Sequence, residues 1–199
     1  MSGTVSIQVT NNKLARANTA LRRILSETPQ AVARTINRTV EGLKTDAARE
    51  TSRRYFVKAT DVRASMSPKK ASSGNLQGAM VSKDKRHSLD YYKLTPTSPN
   101  PGGKTEIKGA VKTAGGLKTL KSAFLVRRAG GTYFPFVRVG SGAGSSNQYR
   151  YKGIRSLIAP ALPQIIKNRD TVKAMRMGAE ERFIKRLDHE ILRLFGALP

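Results

Sequence analysis

The sequence predicts an α+β domain, a small antiparallel β-sheet packed against N-terminal helices and a long C-terminal helix. Two observations carry this expectation. Apolar residues recur at helical spacing near both ends, and between them short runs rich in β-branched and aromatic residues are bounded by Gly, Pro, Ser or Asn. The 199 residues suffice for one core. Residues 1–67 are therefore expected as a helical segment, 68–158 as antiparallel sheet with basic Gly-rich loops and 159–199 as a terminal helix, all in one compact domain.

Leu14, Ala17, Leu21, Ile24 and Leu25 share one stripe of a first helix. Thr28-Pro29 then reads as an N-cap followed by proline at the first position of a second helix. Val32, Ile36, Val40, Leu43 and Ala47 form its apolar stripe, and it should end near Arg53 or Arg54. Thr60 can cap a short helical turn. Strands are expected over 78–82, 89–94, 105–113, 123–128 and 132–139. Pro135 lacks a ladder donor, which makes the last of these an edge strand or marks a bulge. Pro160 and Pro163 introduce one long terminal helix, with Val172, Met175, Ala179, Phe183, Leu187, Ile191 and Leu194 on its stripe and Glu181 to Lys185 as an i, i+4 pair.

Charge gives the clearest functional signal. Against 13 Asp and Glu stand 37 Lys and Arg, a formal charge of +24. Residues 107–169 hold 12 cations and no carboxylate, and 11 of the 17 glycines lie between Gly102 and Gly153, so this charge sits largely on turns. Self-repulsion of that size calls for a polyanion or an acidic protein surface as neighbour. Arg127, Arg128, Arg138, Arg150, Lys152 and Arg155 are the candidate contacts. Tyr149-Arg150-Tyr151-Lys152 interleaves rings and cations, a pattern that suits either base stacking or a hairpin packed on one face.

Several chemistries are excluded. Without cysteine there is no disulfide framework, thiolate nucleophile, zinc finger or iron–sulfur cluster, and a reducing cytoplasm is compatible. No run approaches the ~18 apolar residues of a membrane span. Neither a basic n-region nor an apolar h-region opens the chain, so no signal peptide is expected. Gly102-Gly103-Lys104-Thr105 ends like a phosphate loop, but the first glycine of that motif would fall at Ser98, and strand-like alternation follows where a helix is needed. His87, between Asp84 and Asp90, lacks the further ligands of a metal site, and these carboxylates are expected to offset neighbouring cations. His189 reads as a solvated residue of the last helix or one that complements its C-terminal dipole. Glu180 and Glu181 point in different directions on one helix and form no acid–base pair. No catalytic, cofactor-binding or metal residue is expected, and the chain reads as a non-enzyme.

Ala33-Arg34-Thr35-Ile36-Asn37-Arg38-Thr39, Ala47-Ala48-Arg49-Glu50-Thr51, Ala123-Phe124-Leu125-Val126, Phe136-Val137-Arg138 and Ile158-Ala159-Pro160-Ala161-Leu162-Pro163 follow one another in an order that resembles the minor tail protein Z family of long-tailed phages and prophages. The resemblance spans most of residues 30–195. It implies a structural virion protein that acts in tail completion and head-tail joining at the head-proximal end of the tail. It further implies an oligomeric ring around the DNA path, six-fold by the symmetry of long tails, with other tail and neck proteins and genomic DNA as partners. It implies neither enzymatic activity, nor a cofactor, nor a membrane. The protein would be made in the host cytoplasm. The loops at 96–103 and 140–147 fit that pattern least. The alternative from a different class is a sequence-nonspecific nucleic-acid-binding protein, although neither a helix-turn-helix nor an RNP-like signature is present.

Overall fold

Helix α1 runs unbroken from Asn11 to Arg54, where two helices were expected. The computed structural model describes residues 11–99, 106–128, 130–138 and 154–196. Thr28 does not cap a helix; its Oγ1 donates to the Ile24 carbonyl at 2.6 Å, and Pro29 lies inside the helix. Proline withdraws the donor that would reach the Leu25 carbonyl, yet the helix runs on through it. The C-terminal end falls at Arg54, as the sequence predicts.

The buried face of α1 follows the expected stripe only in part: Val40 and Ala47 are buried as expected. Ala31, Thr35 and Thr39 are buried at a spacing of four, whereas Val32 and Ile36 are half-exposed. Thr35 Oγ1 donates to the Ala31 carbonyl and Thr39 Oγ1 to the Thr35 carbonyl, at 3.1 and 2.9 Å. A threonine whose hydroxyl is satisfied on its own helix presents a methyl group and packs like a small apolar residue.

The observed class is α+β, and the chain passes between two compact units. Unit 1 takes the described residues up to Leu43, Pro68–Met80 and those from Met177 onward; unit 2 takes Lys44–Ser67 and Val81–Arg176. These boundaries do not follow the sequence segments that divide at 67 and 158.

In unit 1, α1 meets helix α4 (Arg169–Gly196). Arg34 pairs with Glu190, and the Arg182 guanidinium seats over Gly42, so the two helices run antiparallel. A Cβ on Gly42 would collide with that guanidinium. A Cβ there would require the arginine's flexible end to shift, and glycine inside a helix costs about 1 kcal/mol relative to alanine. Asn37 clamps the backbone of Ala71 from both sides: its Oδ1 accepts the Ala71 N–H at 2.7 Å and its Nδ2 donates to the Ala71 carbonyl at 2.9 Å.

Unit 2 holds helix α2 (Ala59–Ala64) and helix α3 (Leu162–Ile166) around a core that includes Val62, Tyr92, Leu94, Ile107, Leu162 and Ile165. Helix α2 begins at Ala59, so Thr60 lies inside it and does not cap. The strands are shorter and more numerous than expected: β1 (Met66–Lys69), β2 (Ala79–Ser82), β3 (His87–Ser88), β4 (Lys93–Thr95), β5 (Lys108–Ala110), β6 (Lys118–Thr119), β7 (Ala123–Arg127), β8 (Tyr133–Arg138), β9 (Ile154–Ser156) and β10 (Ile158–Ala159). They pair as β1-β2, β10-β3, β4-β5-β6 and β7-β8-β9 in place of one sheet. The expected strand at 89–94 opens instead as a 3-10 turn over Leu89–Tyr91. Within unit 2, the end of α1 and the residues just after it are tied to the segment following β5 by the Phe56 N–H to the Val111 carbonyl and the Thr113 N–H to the Arg54 carbonyl, both 2.9 Å.

The terminal helix is two helices. Pro163 sits at the start of α3, which ends at Ile166, and α4 opens after Asn168, whose Oδ1 accepts the Asp170 N–H at 3.0 Å in a capping bond. The Glu181 to Lys185 pair forms as predicted, at 2.6 Å.

Candidate functional site

The expected polyanion contacts centre on β7-β8-β9. Strands β7 and β8 form an antiparallel hairpin with Leu125 opposite Pro135, and β9 pairs on the far side of β8 with Arg155 opposite Val137. In the turn, Gly130 and Gly131 have φ of 114° and 86°, a region that glycine enters without strain. The Arg128 N–H donates to the Thr132 carbonyl and closes the turn at 2.8 Å.

Pro135 corrects the edge-strand expectation, because β8 is the central strand and Pro135 is fully buried in it. Its carbonyl accepts the Leu157 N–H at 2.9 Å. The reciprocal donor does not exist, and the Leu157 carbonyl accepts the Leu89 N–H instead, also at 2.9 Å. Leu157 is therefore where the strand leaves β8 and becomes β10, paired with β3. Proline is tolerated here because its missing N–H faces the point where the ladder changes partner.

Alternation along the paired strands sorts the side chains onto two faces. Phe124, Val126, Phe134, Phe136 and Ile154 share one; Leu125, Pro135, Val137, Arg127 and Arg155 share the other. Phe124 and Phe136 lie 6.3 Å apart, and the Arg128 guanidinium folds from the turn over the Phe134 ring at 5.1 Å. Val126 and Ile154 are 38% and 54% exposed, so the aromatic face is open to solvent at its margins.

Arg127, Arg128 and Arg155 are exposed, and none forms an ion pair among the described residues. The structure does not bring them to one point. Arg127 and Arg128 stand at the hairpin turn and Arg155 near the opposite end, while of Arg138 only the backbone register, opposite Ile154, is described. Arg150 and Lys152 lie outside the described residues, as do Tyr149, Tyr151, the loop at 140–147 and Gly102-Gly103-Lys104-Thr105. The arrangement is a dispersed cationic surface around a half-open aromatic face. Such a surface can follow an extended anion but cannot hold a small ligand in a fixed pose.

Several carboxylates elsewhere are committed to the fold. Buried Glu190 accepts both Nε and Nη2 of Arg34, at 3.1 and 2.9 Å, and pairs with Arg193 at 3.1 Å. The Arg34 hydrogen bond, reinforced by the charges of Arg34 and Arg193, holds its pKa below the usual carboxylate value against the opposing effect of burial. Burial pushes Glu50 upward, but hydrogen bonds and charge from Arg54 and Arg53, each at 2.7 Å, outweigh it and the net shift is downward. Asp84 engages His87 at 2.6 Å rather than a lysine or arginine side chain, which corrects the expectation for that carboxylate. The His87 ring stacks on Tyr91 at 3.8 Å, and the Tyr91 hydroxyl donates to Asp61 at 2.8 Å. Burial and Asp61 push the Tyr91 pKa up; burial likewise raises Tyr92, to about 12, and the Tyr92 hydroxyl donates to the Pro160 carbonyl at 2.6 Å.

Among the described residues no three His, Asp or Glu side chains group as metal ligands, and no helix is long and apolar enough to cross a membrane. Comparison with protein-family profiles, curated proteins and solved structures returns no match.

Proposed function

We propose that this chain is a structural subunit that associates with copies of itself through its terminal helices and turns a cationic sheet toward a polyanion, as a tail-completion protein at the head-proximal end of a phage tail. The sequence resemblance supplies the tail; the helices supply the self-association. One observation carries the latter. Leu21 and Leu25 on α1, with Ile184, Leu192 and Phe195 on α4, are between 57% and 72% exposed. Met177, Ile184 and Ile191 recur every seven residues with Phe195 four further on, the period of a helix seam. Large side chains in water at that spacing gain by burial against a second copy, at roughly 25 cal/mol per Å² of apolar surface removed.

Sedimentation tests this directly. Species larger than the monomer are expected for the wild type, and Leu25→Glu combined with Phe195→Glu is expected to return the chain to monomer. A wild type that stays monomeric at every concentration, with and without tail partners, refutes the subunit model.

A second reading is favoured by Arg128 over Phe134 beside Phe124 and Phe136: a nucleic-acid-binding protein that stacks bases on this face. It requires monomers to bind single strands better than duplexes, and Phe134→Ala to remove that preference.

A further inference from the structure

A second concentration of cations lies in unit 1. Because α1 and α4 are antiparallel, with Arg34 at Glu190 and Gly42 at Arg182, the position between these contacts puts Arg38 on α1 opposite Arg186 on α4. The outer contact joins unlike charges. The middle one sets cation against cation, and neither Arg38 nor Arg186 forms an ion pair among the described residues. Both line a cleft of about 460 Å³ together with Asn37, Glu41, Gly42, Lys70 and Arg182.

Two local devices hold the cleft in shape. The Asn37 clamp on Ala71 fixes the backbone next to Lys70 against α1. Gly42 lets the Arg182 guanidinium lie close against α1, a position a side chain there would displace. Four cations thus converge from three segments on a space that contains one carboxylate, Glu41.

We propose that this cleft binds a phosphate group, with Arg38, Arg186 and Lys70 supplying its donors and Arg182 part of its positive field. Like charges facing across a helix pair are relieved by an anion between them. That anion must prevail over Glu41, which favours phosphate, with more charge and more acceptor oxygens, over a carboxylate ligand. The phosphate could belong to a nucleic-acid backbone or be free in solution. The two sources share this chemistry and are separated below.

The test is calorimetric titration of the full chain with inorganic phosphate at fixed ionic strength. Saturation at one site per chain is expected. Arg38→Ser with Arg186→Ser should weaken it by about tenfold or more, as expected for lost charge-assisted hydrogen bonds, while Arg127→Ser with Arg155→Ser leaves it unchanged. Glu41→Gln removes the competing carboxylate and keeps the cations, so it should tighten binding several-fold; it decides the matter if the double arginine variant does not fold. A short DNA duplex that displaces phosphate from the wild type identifies a backbone phosphate, and failure to displace identifies free phosphate; each supports the site. Binding that never saturates, or that responds neither to the Arg38 and Arg186 changes nor to Glu41→Gln, or that the sheet variants weaken equally, overturns it.

Discussion

The arginines at Glu190 and those of the β7-β8-β9 sheet differ in what surrounds them. Arg34 and Arg193 meet a buried carboxylate, whereas Arg127, Arg128 and Arg155 are exposed without an ion pair among the described residues. Net charge alone hides this difference. A cation held by a buried carboxylate is part of the fold; a cation left in water adds little to stability and retains its field for a partner. Unit 1 contains both kinds, since Arg38 and Arg186, about one turn from the Glu190 cluster, form no ion pair among the described residues.

The largest expected effect is on the helix pair. Glu190→Ala leaves Arg34 and Arg193 without their anion and should cost about 2 kcal/mol in denaturant unfolding, below the usual figure for a fully buried pair because Arg34 is partly exposed. Arg127→Ser, Arg128→Ser and Arg155→Ser together should leave the unfolding midpoint unchanged. Equal losses would erase the distinction between the two regions.

Acid should act on the same cluster. Glu50 and Glu190 have folded-state pKa values below the reference of 4.5. Their contribution is therefore complete above about pH 4.5 and is lost as the pH falls through the lowered values. Stability measured from pH 6 downward should drop below about 4.5, and Glu190→Gln should reduce that drop. A profile that is flat across this window would mean that these carboxylates do not depend on their arginines.

The smallest effect sharpens the contrast from the exposed side. Glu181→Ala breaks the pair to Lys185 on the solvent face of α4 and should give no detectable change in the unfolding midpoint. A clear loss there would show that surface pairs on α4 matter as much as the buried Glu190 cluster.

Periodicity made the helical ends and the β7-β8 hairpin legible, because each is decided by residues close in sequence. The continuity of α1 through Pro29 was not, since Thr-Pro is also the pattern of a helix start, and here the Thr28 hydroxyl bonds backward to the Ile24 carbonyl instead of capping. Threonines 35 and 39 were passed over as core residues because their polarity is cancelled only once the helix forms. The crossing at Leu157 needs Pro135 and Leu89, separated by 46 residues, to meet the same strand. The acid-free stretch drew attention to Arg127, Arg128 and Arg155, which are exposed, but gave no sign that Arg127 and Arg155 lie toward opposite ends of the sheet. The Arg38–Arg186 cleft was hidden for a similar reason: an i, i+4 spacing of arginines on one helix says nothing about which residues face it on another.

The central claim is that the sheet arginines are available to a polyanion while the Glu190 cluster is not. It is tested most directly by the salt dependence of DNA binding in the wild type, in the triple sheet variant and in Glu190→Gln. Each phosphate neutralised contributes a slope of about −0.9 in log K against log salt, so loss of three contacts should flatten the slope by about 2.7 units. The account predicts that flattening for Arg127→Ser with Arg128→Ser and Arg155→Ser, and the wild-type slope for Glu190→Gln. A sheet variant that keeps the wild-type slope would contradict the account and would make the acid-free sheet a surface for protein.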